Sequence, residues 1–133
     1  MDENLTIFLN FNGDCGDAME FYAKTFKATP GRVMKYSDAP GDRYPDYGDK
    51  IMYGEMQIAD INVMFCDVPP DGRFVPGNNF VMNYSSTDFD KLHIVFDALK
   101  DGGVVGMEMQ KTFFSELYGM VTDKFGITWN VMG

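Results

Sequence analysis

The sequence predicts an α+β fold composed of two consecutive βαβββ modules, about residues 1–67 and 80–133. Three observations lead to this prediction. One strand, one helix and three strands follow each other twice along the chain, at a period of roughly 65–75 residues. Each copy contains a single amphipathic helix, and a segment rich in proline and glycine, residues 68–79, links the two copies. Because a small module alone buries little of its sheet, we expect the halves to pack together or against a second chain. The whole chain, 1–133, is then one domain with a curved mixed sheet, outer helices and a concave cleft.

The first module begins with a β-rich apolar run over residues 5–11, which ends at a turn signal. A helix is predicted next, with Asp14 as its N-cap and an apolar face at helical spacing formed by Ala18, Tyr22 and Phe26. Further strands are predicted at residues 32–37, 51–59 and 61–67. The last two are close enough in sequence to form a hairpin.

The second module repeats this order after the linker. A strand is predicted at residues 80–85 and a helix with Thr87 as its N-cap. The apolar face of this helix is formed by Phe89, Leu92, Phe96 and Leu99, and Gly102-Gly103 is typical of a helix end. Strands are then predicted at residues 104–110, 117–123 and 127–132.

The charge balance argues against several classes of partner. Twenty acidic and 11 basic side chains leave a formal net charge of −9. Nucleic acids and anionic membranes are therefore improbable partners, since both require clustered lysine and arginine. The first residues lack a basic signal region and the apolar runs are short, so we expect a cytoplasmic protein. Cys15 and Cys66 have no metal-binding or redox spacing, and we expect free buried thiols.

Several segments resemble one known family, in the family's own order. They include the opening strand and helix, a Tyr-Gly segment, a Gly-Gly pair and the terminal strand: 9–15, 18–22, 51–56, 64–67, 102–103, 111–114 and 123–129. Together they resemble the glyoxalase/bleomycin resistance/extradiol dioxygenase group, the vicinal oxygen chelate superfamily. The branch that the sequence resembles most is the PhnB-like one, often labelled a demethylubiquinone methyltransferase domain.

This resemblance implies a homodimer whose cleft holds a divalent metal in the enzymes of the superfamily, where the metal acts as a Lewis acid. Transferring the ligand positions onto this chain gives Ile7, then Phe80 or Val81, then Asn130. The branch often has a histidine where this chain has Tyr53. None of these side chains is a good metal ligand, and the single histidine, His93, lies within the second helix, where we expect a structural or surface role.

We therefore expect no metal cofactor, and a cleft that binds a small hydrophobic or aromatic molecule by burial and stacking. The residues predicted to line this cleft are Ile7, Phe11, Tyr53, Glu55, Phe80, Phe114 and Asn130. One alternative is a metal-dependent lyase, isomerase or dioxygenase of the superfamily, or an enzyme that uses Tyr53, Glu55 and Asn130 as acid and base. A dimeric scaffold without a ligand is the other alternative.

Two further expectations concern loops and side-chain direction. The segment 36–50 is long for a compact domain, and its three tyrosines with Arg43 suggest either a lid, a dimer contact or a loop without a role. In the last strand, Trp129 and Asn130 point to opposite faces. We expect Trp129 in the core and Asn130 in the cleft.

Overall fold

The computed structural model describes residues 2–133 and divides into two compact units. The first unit ends at Val75 and the second begins at Pro76, inside the predicted linker. Each unit contains one α-helix and a four-stranded mixed sheet. This confirms the predicted α+β class and the two βαβββ modules. No helix within residues 2–133 is long and apolar enough to cross a membrane.

The elements of the first unit follow the predicted order. They are β1 (Ile7–Phe11), α1 (Cys15–Phe26), β2 (Pro30–Lys35), β3 (Ile51–Ile58) and β4 (Ile61–Asp67). The sheet has the order β1-β4-β3-β2, in which β1 and β4 are parallel and the other pairs are antiparallel. The predicted strand bounds hold to within two residues, as expected for frayed strand ends.

The core of the first unit lies between α1 and one face of its sheet. Tyr22 of α1 packs against the ring of Phe65, which in turn stacks on Phe11. Gly54 of β3 lets the helix approach closely, because a Cβ at this position would lie 2.7 Å from the Sδ of Met19. Burial of these rings against the helix is the main source of stability expected for a unit of this size.

The carboxylate of Asp67, at the end of β4, holds the start of α1. Asp67 is 1% exposed, and its Oδ1 accepts hydrogen bonds from the backbone N–H groups of Gly13 (2.8 Å) and Cys15 (2.9 Å). Its Oδ2 accepts from the N–H of Ile51 at 3.0 Å. The predicted N-cap, Asp14, makes no side-chain capping bond. The first N–H groups of a helix have no partner inside the helix, and here a residue 52 positions away supplies one.

The second unit has the same arrangement. Its elements are β5 (Met82–Ser85), α2 (Phe89–Lys100), β6 (Val104–Gln110), β7 (Tyr118–Thr122) and β8 (Thr128–Met132). The sheet order is β5-β8-β7-β6, with β5 and β8 parallel. The N-cap of α2 is Asp88 rather than the predicted Thr87, since the Asp88 side chain accepts from the N–H of Lys91.

The core of the second unit centres on Trp129 and the apolar face of α2. Trp129 is almost fully buried, which confirms its predicted place in the core. Its indole N–H donates to Oδ2 of Asp123 at 2.9 Å. Oδ1 of Asp123 accepts from the N–H groups of Phe125 and Ile127, so one buried carboxylate satisfies both the β7–β8 turn and the indole.

Candidate functional site

Each sheet has one face packed on the helix of its own unit and a second face, which we call the distal face. Side chains alternate between the two faces, and the glycines that contact the helices, Gly54 and Gly119, fix the phase. The strand registers then assign the distal side chains. The first distal face carries Phe8, Asn10, Met34, Tyr53, Glu55, Met64 and Cys66. The second distal face carries Asn83, Tyr118, Met120, Asn130 and Met132.

Two predicted cleft residues lie on the wrong face of β1. Phe11 is 1% exposed and stacks on Phe65 in the core, and Ile7 shares its side of the strand. Phe8 and Asn10 occupy the distal face instead. The predicted register was out by one residue, and because side chains alternate, a slip of one residue inverts the face of every side chain.

The predicted pair Tyr53 and Glu55 does lie together on the first distal face. The Tyr53 hydroxyl donates to Oε2 of Glu55 at 2.7 Å. This hydrogen bond to a carboxylate raises the pKa of Tyr53, because it favours the protonated phenol. The ring of Phe8 meets the Tyr53 ring edge-on at 6.3 Å between centroids, and the Tyr53 hydroxyl also contacts the Met64 sulfur. The result is an aromatic and thioether surface with one acidic group at its centre.

The two cysteines of the first unit are free thiols, as predicted. Cys66 lies on the distal face, half-buried, where its sulfur donates to the side-chain oxygen of Asn10 at 3.1 Å. Cys15 is fully buried at the start of α1. Burial, followed by the nearby charge of Asp67, raises the pKa of both thiols. Neither sulfur is therefore poised to act as a thiolate nucleophile at neutral pH.

On the second distal face a tyrosine again meets a polar side chain. The Tyr118 hydroxyl donates to Oδ1 of Asn130 at 2.9 Å. The Phe114 ring packs edge-on against Tyr118, with centroids 5.0 Å apart. Asn130 lies opposite in phase to Trp129, so the predicted direction of both side chains is confirmed.

Two other predicted residues of this unit differ in their placement. Phe80 precedes β5, which begins at Met82 rather than at residue 80. Its ring is 46% exposed, and Asn83 takes the first-strand position on the distal face. Phe114 lies in the β6–β7 connection and remains half-exposed beside Tyr118.

Tyr118 was not among the predicted site residues, although the sequence carried a signal for it. Tyr53-Gly54 and Tyr118-Gly119 are 65 positions apart, which matches the period of the repeat. In both units the glycine contacts the helix and the tyrosine points to the distal face. Comparing the two modules position by position reveals the second tyrosine.

The segment 36–50 is anchored rather than free. It contains two short 3₁₀ helices, Tyr36–Asp38 and Pro45–Tyr47. The three tyrosine hydroxyls donate to the last residue of β4 and to the segment after it: Tyr36 to the carbonyl of Asp67, Tyr47 to that of Val68, and Tyr44 to the carboxylate of Asp71. These hydroxyls therefore hold the loop on the first unit instead of being directed at a ligand.

The residues present do not fit the divalent metal that the superfamily implies. Within residues 2–133 no group of three or more His, Cys, Asp or Glu side chains is arranged to hold a metal ion. Of the positions that the resemblance assigns to ligands, Ile7, Phe80 and Val81 carry no donor atom, and Tyr53 and Asn130 are poor ligands for a divalent ion. Phe8 and Asn83, which lie on the distal faces of the first strands instead, are no better. His93 lies exposed on α2.

Comparison with known proteins identifies the family. A model of the family described as 3-demethylubiquinone-9 3-methyltransferase matches residues 3–132. Protein YjdN of Escherichia coli (strain K12) is 28% identical over 139 residues, covering 96% of this chain and 92% of YjdN. The crystal structure of protein PA1353 from Pseudomonas aeruginosa is 27% identical, with a TM-score of 0.90 and coverage of 98% of this chain and 97% of PA1353. The PhnB protein of Bacillus cereus is 21% identical, with a TM-score of 0.83 and coverage of 98% of both chains. The chain therefore belongs to the family described as 3-demethylubiquinone-9 3-methyltransferase.

Proposed function

We propose that this protein binds a small hydrophobic or aromatic molecule on its distal faces, without a bound metal ion. The observation that carries the proposal is the composition of the first distal face. It presents Phe8, which is 48% exposed, together with the Tyr53 ring and the Met64 thioether. Aromatic and thioether groups bind flat apolar molecules by stacking and burial, and a few polar groups then orient the ligand.

Binding of N-phenyl-1-naphthylamine, an aromatic probe whose fluorescence increases in apolar surroundings, tests this proposal. We expect saturable binding that weakens about three- to tenfold in the Phe8→Ala variant, because one aromatic contact contributes about 0.5–1.5 kcal/mol. Ile94→Ala removes an exposed apolar side chain from α2 and is the matched control. Absence of saturable binding, or equal weakening in both variants, would contradict the proposal.

Metal independence is tested separately by elemental analysis of protein purified without chelators. We expect no stoichiometric metal, and no rise in melting temperature when nickel, manganese or zinc is added. A stoichiometric metal that stabilises the fold would favour the metal-dependent lyase, isomerase or dioxygenase instead, since a ligand that binds only the native state raises its stability.

The family description names a methyl transfer, which makes a different prediction. A methyltransferase binds its methyl donor, so calorimetric titration with S-adenosylmethionine separates the two functions. We expect no heat of binding with this donor under conditions in which the naphthyl probe binds. Tight binding of the donor would overturn the proposal of a binding protein.

We also propose that the protein is a homodimer, as the resemblance implies. Sedimentation equilibrium at micromolar concentration measures the mass directly, and we expect twice the chain mass of 15.0 kDa. A monomer over the whole concentration range would contradict this part of the proposal. A dimer that binds no probe would favour the scaffold alternative.

A further inference from the structure

We infer that the first distal face selects ligands that carry a protonated amine next to an aromatic ring, and that Glu55 is the residue that selects them. This inference rests on the proposed function and names the chemical class of its ligand. It follows from the way in which the carboxylate of Glu55 is held among apolar groups.

Glu55 is the single carboxylate among the side chains assigned to the first distal face, most of which are aromatic or contain sulfur. It is half-buried on β3, opposite Met64 of the neighbouring strand and one pleat from Tyr53. None of the ion pairs found within residues 2–133 includes it. A carboxylate in such surroundings interacts more strongly with a cation than one in bulk water, because the local dielectric constant is lower.

Neighbouring groups fix the position of this carboxylate. The Tyr53 hydroxyl donates to Oε2 at 2.7 Å, which leaves acceptor capacity on the carboxylate. On the other side, Gly31 of β2 lies next to the Glu55 side chain, so a larger residue there would have to push this side chain aside. A Cβ on Gly31 would lie 3.1 Å from Cγ and 3.2 Å from Oε1 of Glu55. A side chain held in this way loses little entropy when it binds a cation.

Aromatic rings next to the carboxylate complete the match to an aromatic amine. Phe8 and Tyr53 meet edge-on, so one ring face near Glu55 can stack on an aromatic ligand or contact its cationic group. Arg32 on β2 is the nearby cation that opposes this selection, since its charge acts on Tyr53. Arg32 is exposed and forms no ion pair with Glu55 in the described structure, so its effect is screened by solvent.

Three naphthalene derivatives with the same ring and different charge test the inference. They are 1-naphthylmethylamine, which is protonated at pH 7, 1-naphthalenemethanol, which is neutral, and 1-naphthaleneacetate, which is anionic. We expect the dissociation constant of the amine to be about fivefold lower than that of the alcohol, which corresponds to about 1 kcal/mol. The acetate should bind more weakly than either.

Single-residue variants then test which side chain causes the preference for the amine over the alcohol. Glu55→Gln should reduce the preference for the amine over the alcohol to about one, while binding of the alcohol changes by less than about twofold, because only the charge is removed. Gly31→Ala keeps the carboxylate but displaces it, and should reduce the preference as well. Arg32→Gln should increase it. Glu20→Gln on α1 changes the net charge equally on the opposite side of the first unit, and should leave the preference intact.

The outcomes separate this inference from the proposed function. If the alcohol binds and the amine is not preferred, or if the preference survives Glu55→Gln, the inference is wrong and the proposed function stands. A preference lost in Glu20→Gln rather than in Glu55→Gln would also overturn it. If none of the three probes binds, both are overturned. Urea unfolding of each variant, followed by the fluorescence of the single tryptophan, checks that the fold is retained.

Discussion

The two units share one layout but secure the start of their helices in different ways. In the first unit Asp67, at the end of β4, accepts three backbone N–H groups from two separate segments. In the second unit Asp88 directly precedes α2 and accepts the N–H of Lys91 at 3.2 Å. A buried, long-range carboxylate therefore does in one unit what an exposed, local carboxylate does in the other.

The same contrast holds for the repeated tyrosines. Tyr53 donates to Glu55 on its own strand, whereas Tyr118 donates to Asn130 on the neighbouring strand. The glycine after each tyrosine is the same because the approach of a helix requires it. The close approach of the helix thus accounts for the glycine in both copies, while the polar partner of the preceding tyrosine differs and gives each distal face its own chemistry.

Replacing the two helix-capping carboxylates tests the first contrast and should give the largest effect. We expect Asp67→Ala to lower the free energy of unfolding by about 3–5 kcal/mol, because it leaves three N–H groups without their acceptor in a buried place. Asp88→Ala should cost about 1 kcal/mol, as for a local cap. Urea unfolding measures both values, and equal costs would show that the two carboxylates have equivalent roles.

Adding a methyl group at the two helix-facing glycines should give the next largest effect. At Gly54 a new Cβ meets the flexible end of Met19, but at Gly119 it meets the Phe96 ring at 2.8 Å as well as the Met109 sulfur. We expect Gly119→Ala to lower the free energy of unfolding by about 3 kcal/mol and Gly54→Ala to lower it by about 1 kcal/mol. The difference arises because a packed aromatic ring moves aside less readily than a flexible thioether side chain. Thermal unfolding of the two variants measures this difference, and the reverse order would contradict it.

Removing the hydroxyls of Tyr118 and Tyr53 distinguishes a buried hydroxyl that stabilises the fold from a more accessible one. Tyr118 is 9% exposed, so we expect Tyr118→Phe to cost about 1 kcal/mol of unfolding free energy, since Asn130 loses its buried donor. Tyr53→Phe should leave stability nearly unchanged, because its hydroxyl is more accessible. Naphthylmethylamine binding, in contrast, should change only in Tyr53→Phe. A stability loss in Tyr53→Phe alone would reverse the assignment.

The smallest effect should appear at alkaline pH and should involve the segment 36–50 of the first unit. Burial raises the pKa of Tyr36 to about 12 from its ordinary value of 10.0. Folding therefore favours the protonated phenol of Tyr36. The stability that this residue contributes to the fold is complete below pH 10 and is lost as the pH rises towards 12. Urea midpoints across this range should fall less steeply for Tyr36→Phe than for the unchanged protein, and identical slopes would contradict this.

Much of the fold could be predicted from local patterns. The period of 3.6 in the helices and of two in the strands predicted both α-helices and all eight strands, though not the two 3₁₀ helices, and the phase of β8 correctly placed Trp129 in the core with Asn130 on the other side. The same reasoning failed at β1 and ahead of β5. There the site positions depended on a count along the strand: a shift of one residue put Ile7 and Phe11 on the wrong face, and Phe80 lies three residues ahead of Asn83, the residue found on the distal face.

The sequence by itself determined the order of the elements, the presence of a single histidine and the repeat in which Tyr53 and Tyr118 correspond. These properties depend on residue type and on spacing along the chain. Only the tertiary structure decided which groups meet: Asp67 with the start of α1, Tyr53 with Glu55, and the loop tyrosines with the end of β4 and the segment after it. Such contacts join residues through strand register and helix packing, and a hydrogen bond depends on tenths of an ångström that a sequence pattern does not specify.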